Sequence, residues 1–335
     1  MNKKVLHIDD LTIGYGKKRR PQVIHAHLHA ELYAGELVCL LGENGTGKST
    51  LIRTLCGFLP AIEGRAYLFG EVLDGLTERE LSLKVAVVLT DRVVVPNASV
   101  EELVSLGRSP YTGTLGVLTQ ADKQKVQEAM QQCGILHKRY EPLSELSDGE
   151  KQKCFIAKAL AQDTPLIILD EPTAFLDMPA RVEIIQLLRQ IVIKSGKSVL
   201  LSTHDLDLAL QMADRLWLLS REQSLLTGSP EDLLMRNEFQ PLFQKRGIEF
   251  DNKTGLFRVD YDTNDHLSVK GHGFEYVLLR RALARKGIKT IQKKEGDPNW
   301  LEIDRSDGLL FRWYKDGRCV DKQCSVEKII QSALS

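Results

Sequence analysis

The sequence predicts an α/β chain: a parallel, doubly wound sheet split by a helical insert, with a small α+β appendage at its carboxyl end. Three observations carry this. Short apolar runs, such as Leu166 to Leu169 and Val199 to Leu201, are bounded by polar residues as buried strands are. Helical patterns alternate with these runs, which is the order a parallel sheet needs. From about residue 99 to 161 the alternation stops and helix follows helix.

Taken in order, residues 5–14 and 23–32 read as two strands joined by a basic turn, Lys17-Lys18-Arg19-Arg20-Pro21. On the second strand His25, His27 and His29 recur at a period of two, which predicts one shared face. A metal site and a solvated face both fit that pattern. With no carboxylate or cysteine cluster at ligand spacing beside them, the solvated face is the preferred reading. Residues 36–41 are an apolar strand, 48–56 a helix, and 65–69 and 85–89 further strands. Ser99 and Glu102 form a capping box that opens a helix over 100–106. Helices over 121–133 and 150–161 complete the insert. Strands return at 166–170 and 198–202, with a helix over 179–194 between them. Ser229-Pro230-Glu231 has an N-cap followed by proline in the first turn.

Past about 262 the character changes. A helix over 274–286 precedes short strands near Ile288, Trp300 and Phe311. Asp307-Gly308 and Asp316-Gly317 signal hairpins, and a last helix begins at 325. Trp300, Phe311, Trp313 and Tyr314 are expected to fill the core of this small domain. The domains are therefore read as 1–250, with a helical subdomain at about 98–162, and 262–335.

Composition narrows the function. Lys plus Arg equals Asp plus Glu at 45 each, so the formal charge is zero. A nucleic-acid partner, which calls for a basic excess or stripe, is not expected. No run approaches the ~18 apolar residues of a spanning helix, and the charged N-terminus predicts no signal peptide. The chain is expected to be soluble, so any membrane role needs a spanning partner. Six cysteines are scattered at 39, 56, 133, 154, 319 and 324 without a CxxC pair. Cys39 and Cys56 sit in apolar contexts. Cys319 and Cys324 leave a disulfide or a metal pair open. Free thiols in a reducing compartment are the preferred reading.

Gly42-Glu43-Asn44-Gly45-Thr46-Gly47-Lys48-Ser49-Thr50 fits GxxxxGK[ST] between a strand and a helix. Phosphate oxygens need several convergent donors, and backbone N–H groups supply them where side chains stay out of the way. The following helix turns its positive end to the anion. Lys48 is expected to reach the β- and γ-phosphates, Ser49 to place a hydroxyl on Mg²⁺, and Thr50 to assist near the α-phosphate. The loop alone says nucleotide and leaves GTPases, kinases and ATPases open.

Leu166-Ile167-Ile168-Leu169-Asp170-Glu171 is an apolar strand ending in two acids, at the sheet edge where a Mg²⁺ ligand belongs. Asp170 is expected to hold the metal through water, and Glu171 to act as general base on the attacking water. Leu200-Leu201-Ser202-Thr203-His204 repeats the arrangement. His204 is expected beside the γ-phosphate.

Leu146-Ser147-Asp148-Gly149-Glu150-Lys151-Gln152 resembles the LSGGQ signature of ABC (ATP-binding-cassette) ATPases. With the phosphate loop, the Asp170-Glu171 pair and His204, the resemblance covers roughly residues 1–250. It implies a P-loop NTPase cassette with an antiparallel β subdomain and a helical insert. It also implies ATP and Mg²⁺ as ligands and a head-to-tail homodimer with a second cassette. Each ATP then lies between the phosphate loop of one copy and Ser147, Gly149 and Glu150 of the other. Tyr15 corresponds to the aromatic that stacks on adenine, and Ala174-Phe175-Leu176-Asp177 to the segment that touches the opposite subunit. The family's partners are transmembrane permease subunits and, indirectly, a substrate-binding protein. Such a chain is cytoplasmic and peripheral on the inner face of the cell membrane.

Two positions depart from the family pattern. Asp148 replaces a signature glycine. Thr90, next to Asp91, stands where the family has a glutamine that contacts Mg²⁺ and couples to the permease. A hydroxyl could still serve the metal through water. Leu106-Gly107-Arg108-Ser109-Pro110-Tyr111 resembles the LGRxPH segment of ATPases serving importers of iron-siderophore complexes, haem and vitamin B12. The expected function is thus an ATPase powering such import. A soluble non-transport ABC ATPase of the iron–sulfur assembly type, or a nucleotide-dependent switch, is the alternative.

Overall fold

The computed structural model describes residues 3–16, 21–90, 98–113, 116–221, 224–239, 248–251, 256–259, 265–306 and 308–334. The basic turn at 17–20, Asp91 and Asp307 lie outside these. The chain divides into two compact units, Met1–Leu242 and Phe243–Ser335.

The first unit opens with β1 (Lys4–Tyr15), β2 (Gln22–Tyr33), β3 (Leu37–Leu41) and α1 (Lys48–Leu55). Then come β4 (Glu63–Leu68), β5 (Glu71–Val72), α2 (Glu78–Lys84) and β6 (Val85–Val88). The insert holds α3 (Val100–Ser105), α4 (Gln120–Gln132) and α5 (Asp148–Ala161). The unit continues through β7 (Leu166–Leu169), α6 (Met178–Ser195), β8 (Ser198–Thr203), α7 (Leu206–Met212), β9 (Arg215–Leu218), β10 (Leu226–Gly228) and α8 (Pro230–Met235).

Two sheets result. One is antiparallel, in the order β2-β1-β4-β5. The other runs β10-β9-β3-β8-β7-β6, and its last five strands are parallel. β3, β7 and β8 are buried along their whole length, which is why β3, β7 and the middle of β8, Val199–Leu201, read as apolar runs. Leu51, Ile52 and Leu55 of α1 join both sheets in one core, with Leu6, Ile8 and Leu11 from the first and Leu40, Ile168 and Leu200 from the second.

Helix starts are set locally. Thr77 with Glu80, Ser99 with Glu102, Thr119 with Asp122 and Ser147 with Glu150 each close a capping box. Asp177 caps α6, with Pro179 in its first turn, and Gly196 ends it at φ 64°.

Some elements differ from expectation. The helices α2 and α7 and the strands β5, β9 and β10 are additional. The three histidines do not share a face: His25 is buried, while His27 and His29 are exposed. Register shifts between β1 and β2, with Asp10 and His27 at positive φ, insert an extra residue and flip the alternation. Carboxylates do accompany the exposed pair, since His27 Nδ1 lies 2.7 Å from Asp10 Oδ1 and His29 Nδ1 3.7 Å from Asp9 Oδ1.

The second unit contains an antiparallel pair, β11 (Ile248–Asp251) and β12 (Leu256–Val259). It also has β13 (His266–Lys270), α9 (Phe274–Ala284), β14 (Lys289–Gln292), β15 (Trp300–Asp304), β16 (Leu310–Lys315), β17 (Arg318–Gln323) and α10 (Val326–Leu334). Its five-stranded sheet has the order β14-β13-β15-β16-β17. Phe311 and Trp313 pack with Leu279, Leu283, Ile329 and Ile330 in the core. Trp300 and Tyr314 instead stack on each other at 4.4 Å between ring centres. Cys319 and Cys324 are exposed free thiols. Cys39 and Cys56 are buried, and burial pushes each thiol up to about 12.

Candidate active site

The parallel strands bring four separate stretches of sequence to one edge. Leu41 pairs with Thr203, Leu201 with Leu169, and Leu169 with Val88. The residues that follow these strands are the loop 42–50, His204, Asp170 with Glu171, and Thr90. They therefore emerge side by side at the carboxyl ends of β3, β8, β7 and β6, where open α/β sheets bind ligands.

In the loop, Thr46 is tied back by its amide and hydroxyl, both donating to the Glu43 carbonyl. Gly47 caps α1 in the left-handed region, at φ 96°. Lys48 is buried, and its Nζ donates to the carbonyls of Gly42 and Glu43 at 2.8 and 3.1 Å. Burial lowers its pKa, against the opposing pull of the Glu171 and Asp170 carboxylates. The loop thus offers a desolvated cation and a helix N-terminus, a setting that fits a polyphosphate.

Asp170 is buried, and its Oδ1 accepts from the Ser202 hydroxyl at 2.6 Å. The same hydroxyl accepts the Glu171 amide at 2.8 Å. Ser202, fully buried on β8 just after the apolar run Val199–Leu201, therefore fixes both acids. Its signal in the sequence is a hydroxyl directly after the apolar run Val199–Leu201, as Asp170 directly follows Leu166–Leu169. Glu171 itself has φ 47°, a conformation that costs a non-glycine residue energy and is kept where the surroundings enforce it. Its carboxylate stands between two bases, with Oε1 3.7 Å from Lys48 Nζ and Oε2 3.9 Å from His204 Nδ1.

The Thr90 hydroxyl donates to the main-chain carbonyl of Asp170 at 2.8 Å. Ser49, Asp170 and Thr90 offer oxygen donors only, which suits a hard cation such as Mg²⁺. Tyr15 is 42% exposed and shares a 2.9 Å hydrogen bond between its hydroxyl and that of Thr50.

Ser147, Gly149 and Glu150 sit apart from this edge, at the start of α5. The Ser147 hydroxyl and amide both donate to Glu150 Oε2 at 2.8 Å. These bonds hold the Glu150 carboxyl below the usual range, and Lys138 adds to the effect. The segment 106–111 packs against the other end of α5. Arg108 is buried, bonded to Asp122 at 2.9 Å and to the Ala161 carbonyl at 2.7 Å, and it lies over the Tyr111 ring. The segment that resembles the importer motif is in its middle a packing element, with Gly107 and Arg108 set against α5. Phe175 is 79% exposed. Among the described residues, no helix is long and apolar enough to cross a membrane.

Known proteins resemble this chain in sequence and in fold. The sequence family described as ABC transporter matches residues 26–174. An ABC transporter ATP-binding protein of Methanocaldococcus jannaschii is 34% identical, over 76% of this chain and 87% of that protein. A petrobactin import ATP-binding protein of Bacillus anthracis is 33% identical, over 77% of this chain and 92% of its own length. Among solved structures, the CbiO1 protein of Clostridium perfringens, part of the CbiONQ ABC transporter complex, aligns with a TM-score of 0.62. It is 26% identical, over 71% of this chain and 94% of that one.

Proposed function

This chain belongs to the ATP-binding subunits of ABC transporters, which are ATPases, and from that premise we propose that it powers import of an iron chelate, haem or cobalamin-type cargo through a separate membrane permease. The observation that carries the cargo class is the petrobactin import relative, 33% identical over most of both chains. The segment 106–111 supports it. Relatives named for import speak against the iron–sulfur assembly alternative.

In this reading the loop amides of 42–50 and Lys48 hold the phosphates, and Tyr15 packs on adenine. Glu171 takes a proton from the attacking water as general base. His204, on the far side of that carboxylate, holds the water and the γ-phosphate in line. Mg²⁺, when bound, neutralises charge on the phosphate oxygens, and Ser49, Asp170 and Thr90 are the residues that would hold it. A second copy of the chain supplies Ser147, Gly149 and Glu150 across the nucleotide. Closing and opening of that pair is the population shift that the permease follows. A binding protein hands cargo to the permease from the other side, and the ATPase sits on the inner face of the membrane.

The test is affinity purification of the tagged chain from detergent-solubilised membranes of its own cells. A polytopic membrane protein should co-purify, and vesicles holding the pair should take up a ferric chelate or a corrinoid only with ATP. Purification without any membrane subunit would overturn the transport reading.

A further inference from the structure

His25 stands where a simple alternation along its strand does not put it. It is 7% exposed, and its Nε2 lies 2.6 Å from the carbonyl oxygen of Thr46. A carbonyl can only accept, so Nε2 carries the proton and donates. β2 is an edge strand of the antiparallel sheet. This bond therefore ties that sheet to the loop that follows β3 in the other.

The carbonyl belongs to the peptide that joins Thr46 to Gly47. In a planar trans peptide the C=O and N–H point in opposite directions. Drawing the Thr46 oxygen to His25 turns the Gly47 N–H the other way. The turn needs the left-handed φ of 96° at Gly47, which glycine adopts without a Cβ penalty. Space enforces it too, since a Cβ on Gly47 would stand 2.7 Å from Ile24 Cγ2 and 3.3 Å from His25 Cδ2. The two neighbours from β2 thus hold one peptide of the loop in one orientation.

We propose that His25 is a positioning residue for the phosphate loop: its imidazole orients the Thr46–Gly47 peptide so that the Gly47 amide donates to the phosphate chain of the nucleotide. The proposal rests on the reading that 42–50 holds phosphates.

His25→Leu removes the donor and keeps apolar bulk, while His25→Gln returns an N–H at similar reach. ATP and ADP affinity would be read by fluorescence titration, and kcat and KM from steady-state hydrolysis. His25→Leu should weaken ATP and ADP alike by about tenfold and raise KM, with kcat within about threefold of wild type. His25→Gln should recover most of the affinity. Wild-type affinity in folded His25→Leu, or no recovery in His25→Gln, overturns the proposal. Should His25→Leu not fold, His25→Asn, whose shorter amide falls short of Thr46, takes its place with the same two outcomes. A wild-type chain that binds neither nucleotide would sink the phosphate reading itself, which these variants leave distinguishable.

Discussion

Oε1 of Glu171 lies 3.7 Å from Nζ of Lys48, so the candidate general base and the phosphate-loop lysine face each other across the site. Glu171→Gln keeps the shape of the side chain and removes the base. Hydrolysis should fall by at least about 100-fold while ATP affinity stays within about threefold. Phosphate release and nucleotide titration on the same preparation check this. An unchanged rate would remove Glu171 from the chemistry.

Tyr15 allows its ring and its hydroxyl to be separated. Tyr15→Phe loses only the bond to Thr50, and ATP affinity should stay within about twofold. Tyr15→Ala loses the ring, and stacking of that kind contributes about 0.5–1.5 kcal/mol, so affinity should fall by up to about tenfold. Equal losses in both variants would mean that the hydroxyl, and not the ring, holds the nucleotide.

Gly107 and Arg108 should matter to folding before they matter to any partner. A Cβ at Gly107 would meet the Lys158 carbonyl at 2.2 Å, main chain of the last turn of α5 that is held by the Gln162 amide. Gly107→Ala should cost about 1–3 kcal/mol. Arg108→Ala strands the buried Asp122 carboxylate, whose remaining bonds come from Thr119, and should cost about 3 kcal/mol. For a unit of this size each kcal/mol corresponds to about 2–4 °C in melting temperature, readable by calorimetry. Wild-type melting in either variant would refute the packing role.

The Ser147–Glu150 box predicts a pH dependence. The Glu150 carboxyl is held below its usual 4.5 by the amide and hydroxyl of Ser147. Its contribution is therefore fully present above pH 4.5 and is lost as pH falls through the lowered value. The stability gap between wild type and Glu150→Ala should be constant above that point and shrink below it. Denaturation midpoints across that range measure the gap. A gap that widened on acidification would show that the box does not act through its carboxylate.

What could be read from the sequence was whatever one stretch of chain decides alone. The phosphate loop, the acids ending the strand Leu166–Leu169 and the capping box at Ser99 are of this kind. His25 was not legible, because the face of a histidine on β2 depends on bulges that only the pairing with β1 creates. Ser202 was visible as a residue but not as a bridge, since Asp170 lies 32 positions away in sequence. The helix Glu78–Lys84 buries none of its residues, so it lacked the apolar stripe that announces a helix and left only its Thr77 cap. Thr90 could be aligned with a family glutamine, yet its bond to the Asp170 carbonyl needed the neighbouring strand.

The Arg108 bond to the Ala161 carbonyl gives α5 a handle at its far end. The other end is Ser147, 14 helical residues and about 21 Å away. An α-helix keeps a fixed rise per residue, so α5 holds the turn at 106–111 and the Ser147 cap at a set separation. The insert is therefore stiff along α5, from the Arg108 bond at one end to the Ser147 cap at the other.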